Sequence, residues 1–226
     1  MLRKIEKPLE WLVDYKQFKS EDEKKHYMKI ETKLSKKVKR GATVLLDKLP
    51  HEFYDLKKSA LERLDTGSMS ATEIISMCCK ALHVDENRYL DRYDFSLSDV
   101  ILSIKLAMLL KLSDGEFSQD TKITIKNTLI EFLELSSVLK QADIDLIFSH
   151  AIGTDEQQKQ LLSLNFEDIQ VLFVDFFHTI NDNRIKNFLL DCLSIVIGAE
   201  GEMGDNEFFL FGLLVGLLKS EENSLR

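Results

Sequence analysis

Proline is nearly absent from this chain, with 2 in 226 residues, and glycine is sparse, with 9. Average usage would be roughly 5% and 7%. A β-sandwich or barrel needs a turn about every 8–12 residues, and that punctuation is missing. Cysteine is scarce too: Cys78, Cys79 and Cys192, with no CxxC and no even framework. A disulfide scaffold is therefore excluded. Neighbours such as Cys78 and Cys79 bridge poorly, because a disulfide wants Cα atoms roughly 5.5 Å apart. Both lie in the apolar run IISMCCKAL, which points to buried free thiols, with a vicinal grip on a soft metal as the alternative. The chain reads as reduced and cytoplasmic. No apolar stretch follows Arg3 and Lys4, so no secretory signal is expected. The longest apolar run, FFLFGLLVGLL at 208–218, is far short of the roughly 20 residues that span a bilayer. Its Gly212 and Gly216 form a GxxxG, which in a buried helix points to close packing against a neighbour.

What is present is a foldable globular composition, 44% hydrophobic and 30% charged. The net charge is −8, unevenly shared. Residues 1–64 hold 17 Lys and Arg against 11 Asp and Glu, a balance of +6. The remaining 13 and 27 leave the rest of the chain at −14. An acidic body repels phosphates, so no nucleic-acid partner is expected there.

Apolar spacing reads as helix throughout. Tyr27, Ile30, Leu34, Val38, Ala42, Leu45 and Leu49 form one stripe of a long amphipathic helix that Pro50 stops. The lysines Lys24, Lys25, Lys33, Lys36, Lys37 and Lys39 are expected to stay solvated. Ser70 and Glu73 have capping-box spacing before a helix running to about Leu82. Residues 98–112 and 185–199 are apolar on nearly every side and are expected to be the most buried helices. Further helices are expected at 119–138, 142–151, 155–164, 167–180 and 206–219. The organisation expected is a basic helical arm at 1–66, a connecting helix and linker at 67–95, and a helical bundle at 96–226. His178, in FVDFFHTI, reads as a core histidine with Asp175 as its partner. The Phe residues crowded into 166–211 read as core, with a groove for a partner helix or an acyl chain as the alternative.

An internal repeat is the strongest signal. Ser113-Asp114-Gly115-Glu116-Phe117 matches Ala199-Glu200-Gly201-Glu202-Met203 at an offset of 86 residues. Apolar positions align on both sides. Each copy is an apolar helix, a small-acid-Gly-acid-apolar turn and a second helix, which implies a bundle with an internal pseudo-two-fold. The glycines can close the first helix at positive φ. Ser118, and Asp205 or Asn206, can cap the second helices. Alternatively, if the turns meet, Asp114, Glu116, Asp120, Glu200, Glu202, Asp205 and Glu207 offer oxygens to a hard cation, calcium or magnesium. An EF-hand is excluded, because Gln119 and Ile125 occupy its glycine and glutamate positions.

The doubled pattern, with an acid seven residues after the first, resembles the TerB-like family of tellurite-resistance and stress-associated domains over residues 96–220. A related domain occurs beside J-domains in some membrane-linked co-chaperones. The second copy fits through Ala199, Glu200, Gly201, Met203 and Glu207; in the first, Thr121 stands where the acid is expected, beside Asp120. The resemblance implies an all-helical fold, no established catalytic activity, and a role as an interaction or metal-responsive module. No nucleophile elbow, P-loop, GxGxxG or HExxH is present. Two functions stay open: a non-enzymatic cytoplasmic interaction module of a stress or defence response, with a protein partner and a possible response to a divalent cation; or a peripheral adaptor whose basic helix binds an anionic membrane at its inner face.

Overall fold

The computed structural model describes residues 8–12, 20–86, 89, 94–115, 117–200 and 203–224. Regular structure among the described residues is helical and contains no strand. The chain divides into two compact units, Ser20–Leu97 and Met1–Lys19 with Ser98–Arg226.

The smaller unit contains α1 (Glu21–Lys48), a 3-10 turn (His51–Phe53), α2 (Tyr54–Thr66) and α3 (Ala71–Leu82). Ser20 opens α1 by accepting the Glu23 amide at 3.1 Å, and three acids in the first turn favour the helix dipole. Pro50 ends it: Leu49 is held extended, as a residue before proline must be. The predicted capping box opens α3, with Glu73 N–H donating to Ser70 Oγ at 3.1 Å and Ser70 N–H donating to Glu73 Oε2 at 2.7 Å.

The α1 stripe is buried at Tyr27, Ile30, Leu34, Ala42 and Leu45. Its C-terminal half meets Ile74, Ile75, Cys78 and Cys79 of α3 and Ala60 and Leu64 of α2 in one apolar cluster. Residues 67–86 are thus folded with the helix expected as a separate arm. Lys37 departs from expectation: it is 1% exposed. It sits three residues after Leu34 on the same face, with its Nζ 4.9 Å from the Phe95 ring centre, a cation–π contact that compensates its lost hydration. Lys24, Lys25, Lys36 and Lys39 are exposed as expected.

The larger unit contains α4 (Leu97–Ser113, from its second residue), α5 (Gln119–Phe132), a 3-10 turn (Leu135–Ser137), α6 (Gln141–Ile152), α7 (Asp155–Leu161), α8 (Phe166–Thr179), α9 (Asn183–Glu200) and α10 (Asp205–Ser224). Every residue of α4 from Asp99 to Ser113 is buried, lysines included. Lys105 donates to the Trp11 carbonyl and lies 5.1 Å from the Trp11 ring centre, which pins the helical residues 8–12 to this unit rather than to α1. Gly153, at φ 79°, passes so close to Trp11 that a Cβ would sit 2.9 Å from its Nε1. α9 is less buried than expected: Ser194, Ile195, Gly198 and Ala199 face solvent. α5 stops at Phe132, earlier than its apolar pattern suggests. Glu134 turns left-handed at φ 48°, and the buried Leu133, Leu135 and Leu139 fill the core from a turn instead of a helix.

Candidate functional site

The two acidic turns meet in the larger unit. α4 ends as expected, with Gly115 at φ 80° and its N–H bonded to Leu112 O at 2.9 Å. Ser118 caps α5 by accepting the Thr121 amide at 3.0 Å, also as expected.

α10 is capped differently. Its first residue is Asp205, so the capping position falls on Gly204, which has no side chain to offer. Asp114 supplies the cap from the other turn: Oδ1 accepts the Asn206 amide at 3.3 Å and Oδ2 the Glu207 amide at 3.2 Å. Asn206 Nδ2 donates to Ser113 O at 2.7 Å. Glu207 Oε2 accepts the Gly204 amide at 3.2 Å. Gly204 is required by proximity: an added Cβ would lie 2.0 Å from Asp114 Oδ2. Beneath this cap, Glu207 Oε1 lies 2.9 Å from Lys111 Nζ, with the two side chains 2% and 1% exposed. A buried carboxylate needs a compensating charge, and here the chain's own ammonium provides it.

Of the seven acids considered as cation ligands, Asp114 and Glu207 are thus engaged with protein groups. Asp120 and Asp205 are exposed in the first turns of α5 and α10. Glu116 and Glu202 lie outside the described residues, as do Gly201 and the side chain of Glu200. Among the described residues, no group of three or more His, Cys, Asp or Glu side chains is placed to hold a metal ion. The positions that meet are not chemically equivalent between the copies. At the offset of 86, Lys111 corresponds to Ile197, Ser118 to Gly204 and Thr121 to Glu207. One copy therefore caps itself through Ser118, and the other is capped through Asp114 and anchored through Lys111.

Beside the first turn is an open groove of about 680 Å³, lined by Gly115, Phe117, Ser118, Asp120, Thr121, Thr124 and Leu162. Lys122 reaches over Phe117 at 4.3 Å from the ring centre and donates to Gln158 Oε1 at 2.9 Å. Partial burial lowers the pKa of its ammonium, while Asp155 opposes the shift.

α10 itself carries the least expected surface. Among its described side chains only Glu207, Leu210, Leu214 and Leu218 are buried, one stripe at helical spacing. Phe208 is 70% exposed and Phe209 50%. Gly212 and Gly216, expected to mark close packing, instead face open space, with nothing within 4 Å of an added Cβ. The Phe group is split accordingly. Phe173, Phe176, Phe177 and Phe188 are core, whereas Phe209 is half exposed and meets Phe166 edge-on at 5.9 Å. His178 and Asp175 are exposed, not core, because α8 buries Ile169, Leu172, Phe173, Phe176 and Phe177 on its other side.

The cysteines are free and buried, as their apolar context suggests. Burial, reinforced by the neighbouring Cys79, pushes the Cys78 thiol up to about 11, and burial raises Cys79 as well. Protonated thiols are poor metal ligands and poor nucleophiles.

Sequence reasoning missed Lys111 and the open face of α10. Lys111 could have been found as a base within a run apolar on all sides, which needs a buried acid.

No family model, curated protein or solved structure matches the chain in comparisons with known proteins.

Proposed function

We propose that the chain is a non-enzymatic protein-interaction module with a TerB-like, two-copy helical body, acting in the cytoplasm in a stress or defence response. The single observation that carries the interaction role is the exposed apolar face of α10, with Phe208 70% and Phe209 50% exposed. A contiguous apolar surface of this kind costs free energy in water until a partner covers it. The two-copy body is supported by helix starts that keep the repeat offset: Leu97 and Asn183 are 86 residues apart, and so are Gln119 and Asp205. In this reading the turn acids hold the two copies together by capping and charge pairing, and a response to calcium or magnesium would act through the remaining exposed acids.

The membrane alternative needs the basic helix to insert an apolar face. Tyr27, Ile30, Leu34, Ala42 and Leu45 are buried within the fold, so only the exposed lysines would be left to bind headgroups. Among the described residues no helix is long and apolar enough to cross a membrane. Affinity capture with the full chain and with a Phe208→Ser, Phe209→Ser variant tests the proposal. A protein retained by the parent and lost by the variant is the expected result. Equal capture by both, or recovery of the chain only with anionic vesicles, contradicts it.

A further inference from the structure

The outer side of α1 carries a surface that the interaction reading does not use. At about 100° per residue, Lys29, Lys36, Lys39 and Arg40 fall within about 100° of arc, and Tyr27 and Leu45 of the buried stripe lie directly opposite Lys36. All four cations are exposed, in a row about 16 Å long. Lys25 is left out of the row by its pair with Asp22 at 3.8 Å, Lys33 by its partial burial and Lys37 by its contact with Phe95. Between Glu23 and Asp47 the single acid of α1 is Glu31. It lies about 140° around the helix from Lys36, and its Oε2 accepts the Leu97 amide at 2.8 Å. Asp47, at the far end, is paired with Lys57. Among the described residues, the four cations of the row are in no ion pair. Residues 20–97 hold 15 Lys and Arg against 14 Asp and Glu, so the row is a segregation of charge and not a net excess.

The surroundings of the row select among anions. The Thr32 and Thr43 hydroxyls between the cations donate back to Met28 O at 2.8 Å and Lys39 O at 3.0 Å, so neither is free to read a base edge. A duplex groove carries its phosphates on two rims, which two basic flanks around a neutral line would match; α1 has one basic line instead. A docked protein helix needs an apolar seam, and the row contains none; exposed lysine–carboxylate pairs by themselves often add nothing measurable. A flat anionic surface needs neither readout nor seam. Each Lys or Arg held close to such a surface multiplies adsorption about fivefold, so four together give roughly several hundredfold. Met28, 63% exposed beside the row, has room among headgroups. We propose that Lys29, Lys36, Lys39 and Arg40 adsorb the chain to an anionic lipid surface, with the buried stripe of α1 left in the fold. This contact is separate from the α10 face and does not rest on the interaction reading.

Co-sedimentation of the full chain with vesicles tests this, using phosphatidylcholine alone and with about 30% phosphatidylserine. The partition coefficient should be at least tenfold higher on the anionic vesicles at about 50 mM salt, and should fall at least tenfold at about 500 mM. Replacing Lys29, Lys36, Lys39 and Arg40 together by Gln, a good helix former, should leave the circular dichroism unchanged and lower the coefficient at least tenfold. A control with the exposed Lys58, Arg63, Lys80 and Lys219 replaced by Gln changes the net charge equally and should bind within about threefold of the parent. Equal partition onto the two kinds of vesicle, insensitivity to salt, or a control that loses as much as the row variant overturns the proposal. So does tighter binding of a DNA duplex or of polyglutamate than of the anionic vesicles, which would assign the row to nucleic acid or to an acidic protein segment. The lipid and salt comparisons use the parent chain alone, so they decide the outcome even where the row variant misfolds.

Discussion

Lys111 and Glu207 face each other at 2.9 Å with almost no exposure, so removing either takes away the opposite charge that offsets the other's burial. Glu207→Leu or Lys111→Met alone should cost about 3–5 kcal/mol, whereas the two together should cost far less, because a buried pair is often replaceable by well-packed apolar groups. Urea unfolding of the three variants measures this. Asp114→Ala removes two acceptors from the start of α10 and should cost about 1 kcal/mol, near the usual value for a lost cap. Gly204→Ala should also destabilise, since its methyl group would collide with the Asp114 carboxylate. At the level of single residues, the caps that act within one helix were legible in the sequence: Ser70 with Glu73, and Ser118. Asp114 was legible as an acid in a turn but not as a cap for a helix 91 residues away, because that role depends on where the second turn is placed. Lys37 misled for a related reason. Its charge suggested solvent, while its position three residues after Leu34 placed it in the buried stripe.

Periodicity decided the helices whose neighbours are close in sequence, and it decided less where burial depends on distant packing. α4 could be read as buried on all sides, since a run such as VILSIKLAMLLKL has no face suited to water. α10 reads almost the same way, yet only one stripe of its described side chains is covered. Composition states what a helix can bury, not what lies beside it. The end of α5 shows the same limit: an apolar pattern that continues past Phe132 is satisfied by a left-handed residue and a 3-10 turn. Hydrogen exchange should rank these elements. Amides from Val100 to Leu110 should exchange slowest in the larger unit, and those of Phe208 to Gly212 on the open side of α10 faster than their apolar sequence suggests.

On the scale of the whole molecule, the buried thiols set an alkaline limit. Burial, with Cys79 next to it, holds Cys78 in its neutral form up to about 11, against an ordinary value of 9.0. The raised folded-state value means that this stabilisation is complete below about pH 9 and is lost as pH rises toward 11. Burial and the nearby Glu23 also raise Tyr27, which adds to the loss at still higher pH. The urea midpoint should be level from pH 7 to 8.5 and fall above pH 9, and Cys78→Ala should flatten the first part of that fall. The smaller unit holds both groups, so its helices should report the loss first.

The open face of α10 is the claim on which the functional account rests, and a thermal melt of the Gly212→Ala, Gly216→Ala variant tests it most directly. Glycine inside a helix costs about 0.5–1 kcal/mol relative to alanine, and both positions have room for a methyl group. The isolated double variant should therefore gain about 1–2 kcal/mol, a rise in Tm of roughly 3–6 °C for a chain of this size. A fall in Tm would show that the two glycines already pack against something in the free chain, and that the face is not open.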